Sequence, residues 1–263
     1  MKKINIKLKI ILAMAAISTI TALAWAVEFH KKDHLQPVKK QAGVAGKQEH
    51  TYDPELLARF EKIGTQMDFN KQHCTYSGVI NVDDGSDTTL TVHGIEFLFC
   101  RSGKDFYYRM GNTETIHENG LNIFIQQEQH RVVLSAQDLV VKPPVTDLHA
   151  IEKSLRYEDY DLVCNASGGL KTLSVLNGHH VTCKELSFTY DTLSGKLEKI
   201  YTRFSNLADP LNKTLDRVVD ISVRSIEDKD HLEQYTSSKD VLEKRGGKWR
   251  LKSRYATYEL ITL

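Results

Sequence analysis

The chain is long enough for one large domain or two small ones, and its composition is that of an ordinary folded protein. It has 263 residues, of which 41% are hydrophobic and 26% charged, and these values exclude wholesale disorder. The formal net charge is +1, from 35 basic and 34 acidic residues. This balance gives no electrostatic argument for a nucleic-acid partner.

The N-terminus has the pattern of a segment for export. Lysines at positions 2, 3, 7 and 9 precede an apolar run over residues 10–27. Small residues at Ala22, Ala24 and Ala26 offer the cleavage site of a signal peptide, whereas about 18 apolar residues also just reach the length of a membrane anchor. Both alternatives stay open, and both place the folded part in the periplasm, either soluble or held at the inner membrane by residues 10–27. Residues 28–50 are polar and aperiodic, which predicts a flexible linker.

Residues 51–263 are predicted to form one domain that starts with a helix. Asp53 followed by Pro54 is typical of a helix start, because the carboxylate accepts from free amides and proline fits the first turn. Apolar residues from Leu56 to Met67 then recur at helical spacing. One stripe of this helix must therefore pack on another apolar surface.

Two series of strands follow the helix. Between about residues 73 and 136, large apolar side chains occupy every second position, and turn residues separate about six strands. Residues 145–157 have the spacing of a short helical link. About five more strands run from residue 160 to 226, and a final strand is expected near 255–263.

The predicted fold is mainly β (α+β). Neighbouring strands twist by roughly 20 to 25°, so a sheet of about eleven strands with one apolar side has to curl. We expect one large curved antiparallel sheet, an open half-barrel, with the N-terminal helix and the short helical link packed on its concave face. The side chains predicted for that inner face, as core or as ligand contacts, are Phe97, Phe99, Phe106, Tyr108, Ile123, Ile125, Phe188 and Ile221.

The four cysteines are disulfide candidates in an exported domain. Cys74 and Cys100 come close if their strands form an antiparallel hairpin. A bridge between Cys164 and Cys183 is less favoured, because a meander places a strand between them and the gap exceeds disulfide reach. Free buried thiols are the alternative.

The sequence carries no local motif of an enzyme. The serine elbow, the metalloprotease H-E-x-x-H motif and phosphate-binding glycine loops are not found. The acidic turn at 83–87 lacks the ligand spacing of a calcium loop, and His179 and His180 point to opposite faces if they lie on a strand. We therefore predict a non-enzymatic protein without a metal or another cofactor.

Several stretches resemble the periplasmic carrier of outer-membrane lipoproteins, the Lol-type family. They are KDFYYR at 104–109 followed by IHENGL at 116–121, and LSFTYD at 186–191 followed by GKLEKI at 195–200. The order of helix, strands, helical link and further strands is similar too. The resemblance implies a curved sheet that wraps helices and holds acyl chains on its concave side. The long linker and the four cysteines depart from that family.

Two functions follow as expectations. The first is a periplasmic protein that binds the acyl chains of a lipid or lipoprotein by burial of apolar surface. The alternative is a structural or adaptor module of a cell-envelope assembly, anchored at the inner membrane by residues 10–27 and bound to a protein partner. A filled sheet would favour the adaptor, and an unfilled one the carrier.

Overall fold

The structure, a computed structural model, describes residues 52–135 and 158–263, which are mainly β. The prediction of a mainly β fold built on one large sheet is confirmed. The apolar run at 10–27, the linker at 28–50 and the helical link at 145–157 lie outside the described residues. The single domain over 51–263 stays a prediction.

Helix α1 spans Pro54–Gly64 and the one-turn helix α2 spans Ser238–Val241. The strands of the described residues, in chain order, are β1 His73–Asp84, β2 Val92–Ser102, β3 Asp105–Met110, β4 Thr113–Glu118, β5 Leu121–Gln126, β6 Arg131–Ser135, β7 Asp161–Ser167, β8 Leu170–Leu176, β9 Cys183–Asp191, β10 Leu197–Phe204, β11 Arg217–Glu227, β12 Leu242–Arg245, β13 Lys248–Leu251 and β14 Glu259–Thr262.

Twelve strands form one sheet in the order β14-β6-β5-β4-β3-β2-β1-β11-β10-β9-β8-β7. Two meanders, β1 to β6 and β7 to β11, therefore meet at β1 and β11. Strand β14 pairs in parallel with β6, with Leu260 opposite Val132. The sheet is therefore mixed, whereas a purely antiparallel sheet was predicted. Strands β12 and β13 form a separate hairpin.

The described residues fall into two compact units. Unit 1 comprises residues 52–66, 82–91 and 158–220, and unit 2 comprises residues 67–81, 92–135 and 221–263. Strands β1 and β11 each have residues in both units. Each unit is described by itself below.

Helix α1 begins in unit 1 as its sequence predicts. The Asp53 carboxylate accepts hydrogen bonds from the amides of Glu55 and Leu56, and Pro54 occupies the first turn. The buried ring of Phe60 packs on Phe188 of β9 with 4.9 Å between the ring centroids. The apolar stripe of the helix is thus covered by the second meander.

A buried ion pair lies in unit 1 at a bulge of β9. The Lys184 ammonium donates to Oδ1 of Asp216 over 2.6 Å, and the two side chains are 0% and 3% exposed. Cys183 and Glu185 pair with consecutive residues of β10, so Lys184 is the extra residue of the bulge. The other carboxylate oxygen of Asp216 is buried and has no hydrogen-bond partner in the described residues.

The acidic turn at 83–87 is tied to the start of β11, also in unit 1. Oδ1 of Asp84 accepts from the amides of Ser86 and Asp87, and Oδ2 accepts from Arg217. Burial alone would raise the pKa of Asp84, but the hydrogen bonds from Ser86 and Arg217 outweigh it and lower the pKa below its usual value. The carboxylate of this turn therefore has a structural role.

Candidate functional site

The candidate site is an aromatic face on one side of strands β2 and β3 in unit 2. Phe99 lies opposite Tyr108, and Arg101 lies opposite Phe106. Because partners across an antiparallel pair point to the same side, these side chains share one face with Phe97 and Met110, which also pair. We call the surface formed by Phe97, Phe99, Phe106, Tyr108 and Met110 the aromatic face.

Phe99 is the centre of this face. Its ring centroid lies 6.0 Å from that of Phe106 and 6.4 Å from that of Tyr108. Phe69 approaches it to 5.1 Å at a steep interplanar angle, and Tyr76 of β1 stacks at 6.3 Å. The result is a continuous cluster of five rings in edge-to-face and offset contacts, which are favoured geometries for aromatic pairs.

The segment after α1 places Phe69 on this cluster. The Tyr76 hydroxyl donates to the carbonyl of Asp68 over 2.9 Å, and the Arg101 guanidinium donates to the carbonyl of Phe69 over 3.0 Å. Sequence analysis missed Phe69 and Tyr76. The alternation along β1 could have revealed Tyr76, whereas Phe69 lies outside any periodic stretch.

Tyr108 carries the most distinctive polar group of the aromatic face. Its hydroxyl contacts the thioether sulfur of Met110 at 3.3 Å, and sulfur is a weak acceptor. Burial raises the pKa of the Tyr108 hydroxyl, so the group stays a neutral donor. A carbonyl oxygen brought to this position would be a stronger acceptor than the one it now has.

The same side of the sheet becomes polar across β4 and β5. Thr115 lies opposite Tyr108, and His117 lies opposite Phe106 with 5.3 Å between the stacked rings. Nδ1 of His117 is 2.7 Å from Oδ1 of Asn122; since an amide oxygen only accepts, this nitrogen carries the proton. An aromatic floor with a buried polar border can hold a molecule that is mostly apolar with a few acceptors.

The opposite side of β2 to β6 forms a separate core, which we call the core face. Tyr107, Ile116, Ile123, Ile125, Val132 and Leu134 belong to it, and Val241, Leu242 and Tyr255 pack on them. These three come from the segment that runs from the end of β11 to β14. The C-terminal strand predicted near 255–263 is thus observed, as β14, and the segment before it closes the core face.

The structure corrects the grouping of Ile123 and Ile125 with the aromatic residues. Both are fully buried, but in the core face and not beside Phe99 or Tyr108. Each hairpin from β3 to β5 turns through two residues, so the residues of β5 on the aromatic side are Asn122, Phe124 and Gln126. Counting these two-residue turns in the sequence would have shown it.

The two remaining predicted residues lie on other strands. Phe188 belongs to unit 1, where Phe60 covers it. Ile221 is a half-buried residue of β11 in unit 2. Of the eight predicted residues, four come together on the aromatic face, and ligand contact by any of them stays a prediction.

The predicted bridge between Cys74 and Cys100 is not formed, and all four cysteines are free. Thr75 donates to the sulfur of Cys100 over 3.4 Å, so these two neighbours share a side. Cys74 precedes Thr75 on β1 and therefore points to the other side. Burial raises the pKa of both thiols, and it raises that of Cys183 to about 12, so none of these three is a ready nucleophile at neutral pH.

Two features are absent from the described residues. Residues 52–135 and 158–263 contain no cluster of three His, Cys, Asp or Glu side chains that could hold a metal ion. In the same part of the chain, no helix combines the length and apolar character needed to cross a bilayer.

Comparison with known proteins gives structural likenesses alone. No family model matches the chain, and no curated protein matches it. Solved structures that it resembles include a LolA superfamily protein from Nitrosomonas europaea, with 8% identity and a TM-score of 0.30 over 70% of this chain and 97% of that one. A DUF1329 family protein from Desulfovibrio piger has 10% identity and a TM-score of 0.25, over 68% of this chain and 91% of that one.

A putative outer membrane lipoprotein-sorting protein domain from Vibrio parahaemolyticus has 7% identity and a TM-score of 0.25, over 70% of this chain and 94% of that one. The printed names of two of these three structures refer to the LolA superfamily or to lipoprotein sorting, the kind of protein that the sequence resembles. Scores of this size carry no argument about function.

Proposed function

We propose that the protein is a non-enzymatic binding protein of the periplasm that holds an acyl chain of a lipid or lipoprotein against the aromatic face. One observation carries the proposal. The aromatic side of β2 and β3 is apolar, and on the opposite side the chain's own C-terminal segment closes the core face. The aromatic face is therefore a second apolar surface, additional to the one that this segment covers.

The energetics of such binding are favourable in principle. Each methylene taken from water contributes about 0.8 kcal/mol, so a chain of about sixteen carbons could gain on the order of 12 kcal/mol. The aromatic side chains are only 1 to 8% exposed. A ligand must therefore displace their present neighbours, and the net affinity is the gain minus that cost.

The hydroxyl of Tyr108 provides the polar contact in this proposal. It would exchange the Met110 sulfur for an ester or thioester carbonyl of the ligand, which satisfies the donor better. The export signal predicted at residues 10–27 supports a periplasmic location.

Native mass spectrometry after gentle preparation from the envelope fraction tests the proposal. We expect a population of molecules with bound lipid and binding of a fluorescent acyl-ester probe. Tyr108→Phe should lower the affinity for the probe about 5- to 10-fold, because it deletes one hydrogen bond worth about 1 to 1.5 kcal/mol. Ile125→Val on the core face is the matched control and should leave probe affinity unchanged.

Two results would contradict the proposal. One is a clean ligand-free mass together with no binding of the probe. The other is an equal loss of affinity in Tyr108→Phe and Ile125→Val, which would indicate a general effect of stability.

The burial of the aromatic face favours a second candidate function, an adaptor module of an envelope assembly. Phe99 is 1% exposed and Tyr76 is 0% exposed, because other side chains of the chain cover them, as expected for a sheet filled by its own residues. This alternative predicts a protein partner in pull-downs from crosslinked envelopes. It also predicts that lipid is absent from the native mass spectrum.

A further inference from the structure

Unit 1 exposes large apolar side chains on two neighbouring loops. Val181, in the loop between β8 and β9, is 58% exposed, and Leu207 and Leu211, in the loop between β10 and β11, are 77% and 70% exposed. Aliphatic side chains this exposed cost free energy in water unless something covers them. We call these three residues with their loops, residues 177–182 and 205–213, the leucine loops.

The leucine loops are joined and internally braced. The Ser205 amide donates to the carbonyl of Thr182 over 2.8 Å, and its hydroxyl donates to the carbonyl of His180. Oδ1 of Asn206 accepts from the amides of Ala208 and Asp209. Because backbone polar groups of the turn are satisfied within the loop, its apolar side chains can leave water without stranding those groups.

The described chain begins beside these loops. The Tyr52 hydroxyl donates to the carbonyl of Tyr160 over 2.7 Å. The ring of Tyr160 lies 5.2 Å from that of His180, the neighbour of Val181. The 51 residues before Tyr52, with the apolar run at 10–27, therefore join unit 1 at the end that carries the leucine loops.

The length of the predicted linker sets how far unit 1 can lie from a membrane. The flexible linker predicted over residues 28–50 would have an end-to-end distance of roughly 26 Å. If residues 10–27 are a membrane anchor, that membrane lies within reach of the leucine loops.

The charges of the loops select the kind of surface. Asp209 and Lys213 are their acidic and basic residues and cancel formally, and His180 pairs with Glu158 at 3.2 Å. A surface without net charge has no attraction to strongly anionic headgroups. Its partner is therefore recognised by apolar contact.

We propose that the leucine loops insert into the interface of a zwitterionic phospholipid bilayer and set the orientation of unit 1 on it. The inference is separate from acyl-chain binding, because it concerns other residues and does not require the aromatic face to open.

Tryptophan quenching tests this proposal on the full chain. Leu207→Trp and Leu211→Trp are mixed with phosphatidylcholine vesicles whose acyl chains are brominated, and the signal of the parent, which has two tryptophans, is subtracted. We expect the added emission to fall at least twofold relative to unbrominated vesicles. Far-UV circular dichroism confirms that the variants fold.

Leu193→Trp is the matched control. Leu193 is 96% exposed, more than either loop leucine, but it follows β9 whereas Val181 precedes it, and nine strand residues separate the two ends by about 27 Å. We expect no quenching there, so exposure alone does not explain a positive result.

Three outcomes would overturn the proposal. The first is no quenching of either loop variant, and the second is equal quenching of Leu193→Trp. The third is a lipid-free dimer in analytical ultracentrifugation that Leu207→Asp with Leu211→Asp converts to a monomer, which would show that a second copy of the chain covers the loops.

Discussion

The buried pair of Lys184 and Asp216 should behave as a single unit in unfolding experiments. Both side chains are at most 3% exposed, and their charged atoms are 2.6 Å apart. Removing one partner leaves an uncompensated charge in the interior, which typically costs about 3 to 5 kcal/mol. We therefore expect Asp216→Asn and Lys184→Met each to lower the free energy of unfolding by about that amount.

The double variant measures the interaction between the two charges, apart from the effect of each substitution by itself. Lys184→Met with Asp216→Asn leaves no buried charge, so its loss should be at least about 2 kcal/mol smaller than the sum of the two single losses. Urea unfolding followed by circular dichroism measures all three variants. Glu55→Gln, at the exposed i,i+4 pair with Arg59 in the same unit, is the control and should change stability by less than about 0.5 kcal/mol.

The reasoning fails under either of two results. One is a single variant that costs less than about 1 kcal/mol, as the exposed pair does. The other is a double variant whose loss equals the sum, because additivity would mean that the two charges do not interact.

Three further predictions concern stability. Gly78→Ala should cost about 2 to 3 kcal/mol in urea unfolding, because a Cβ would lie 2.3 Å from the carbonyl oxygen of Ser222; Gly178→Ala, with open space at that position, should be nearly neutral, and equal effects would refute the steric argument. Val241→Ala should cost about 2 kcal/mol, because Val241 is fully buried in the core face; an unchanged midpoint would show that the C-terminal segment is not part of the core. The folded pKa of Asp84 is lowered, so its stabilisation is present above the unfolded value of about 3.9 and is lost as the pH falls below it; Asp84→Asn should flatten stability between pH 4 and pH 2, and an unchanged slope would contradict this.

The local elements followed from the sequence because their signals are short-range. Asp53 and Pro54 mark the start of α1, since capping depends on neighbours within four residues. The alternation of Phe106, Tyr108 and Met110 identified β3 for the same kind of reason. Successive side chains of a strand point to opposite sides, so every second residue shares a side.

The grouping of strands into faces was harder. Alternation assigns sides within one strand, but the side shared by two strands depends on the register of their turn. The turns after Met110 and Glu118 have two residues each, which places Phe124, and not Ile123, on the side of Tyr108. The information was in the turn lengths, and alternation alone could not supply it.

The burial of Lys184 had no signal in the sequence. A lysine in a strand is normally solvated. Burying this one required a bulge together with Asp216, which directly precedes β11.

By itself the sequence determined, for the described residues, the helix that begins at Pro54 and the two meanders, because helix caps and side-chain alternation act between residues a few positions apart. The tertiary structure decided that β14 returns to pair in parallel with β6, that the core face and the aromatic face are separate, and that Cys74 and Cys100 point apart. These features depend on contacts between residues far apart in the chain, and their pairing is fixed by the free energy of the whole packed structure.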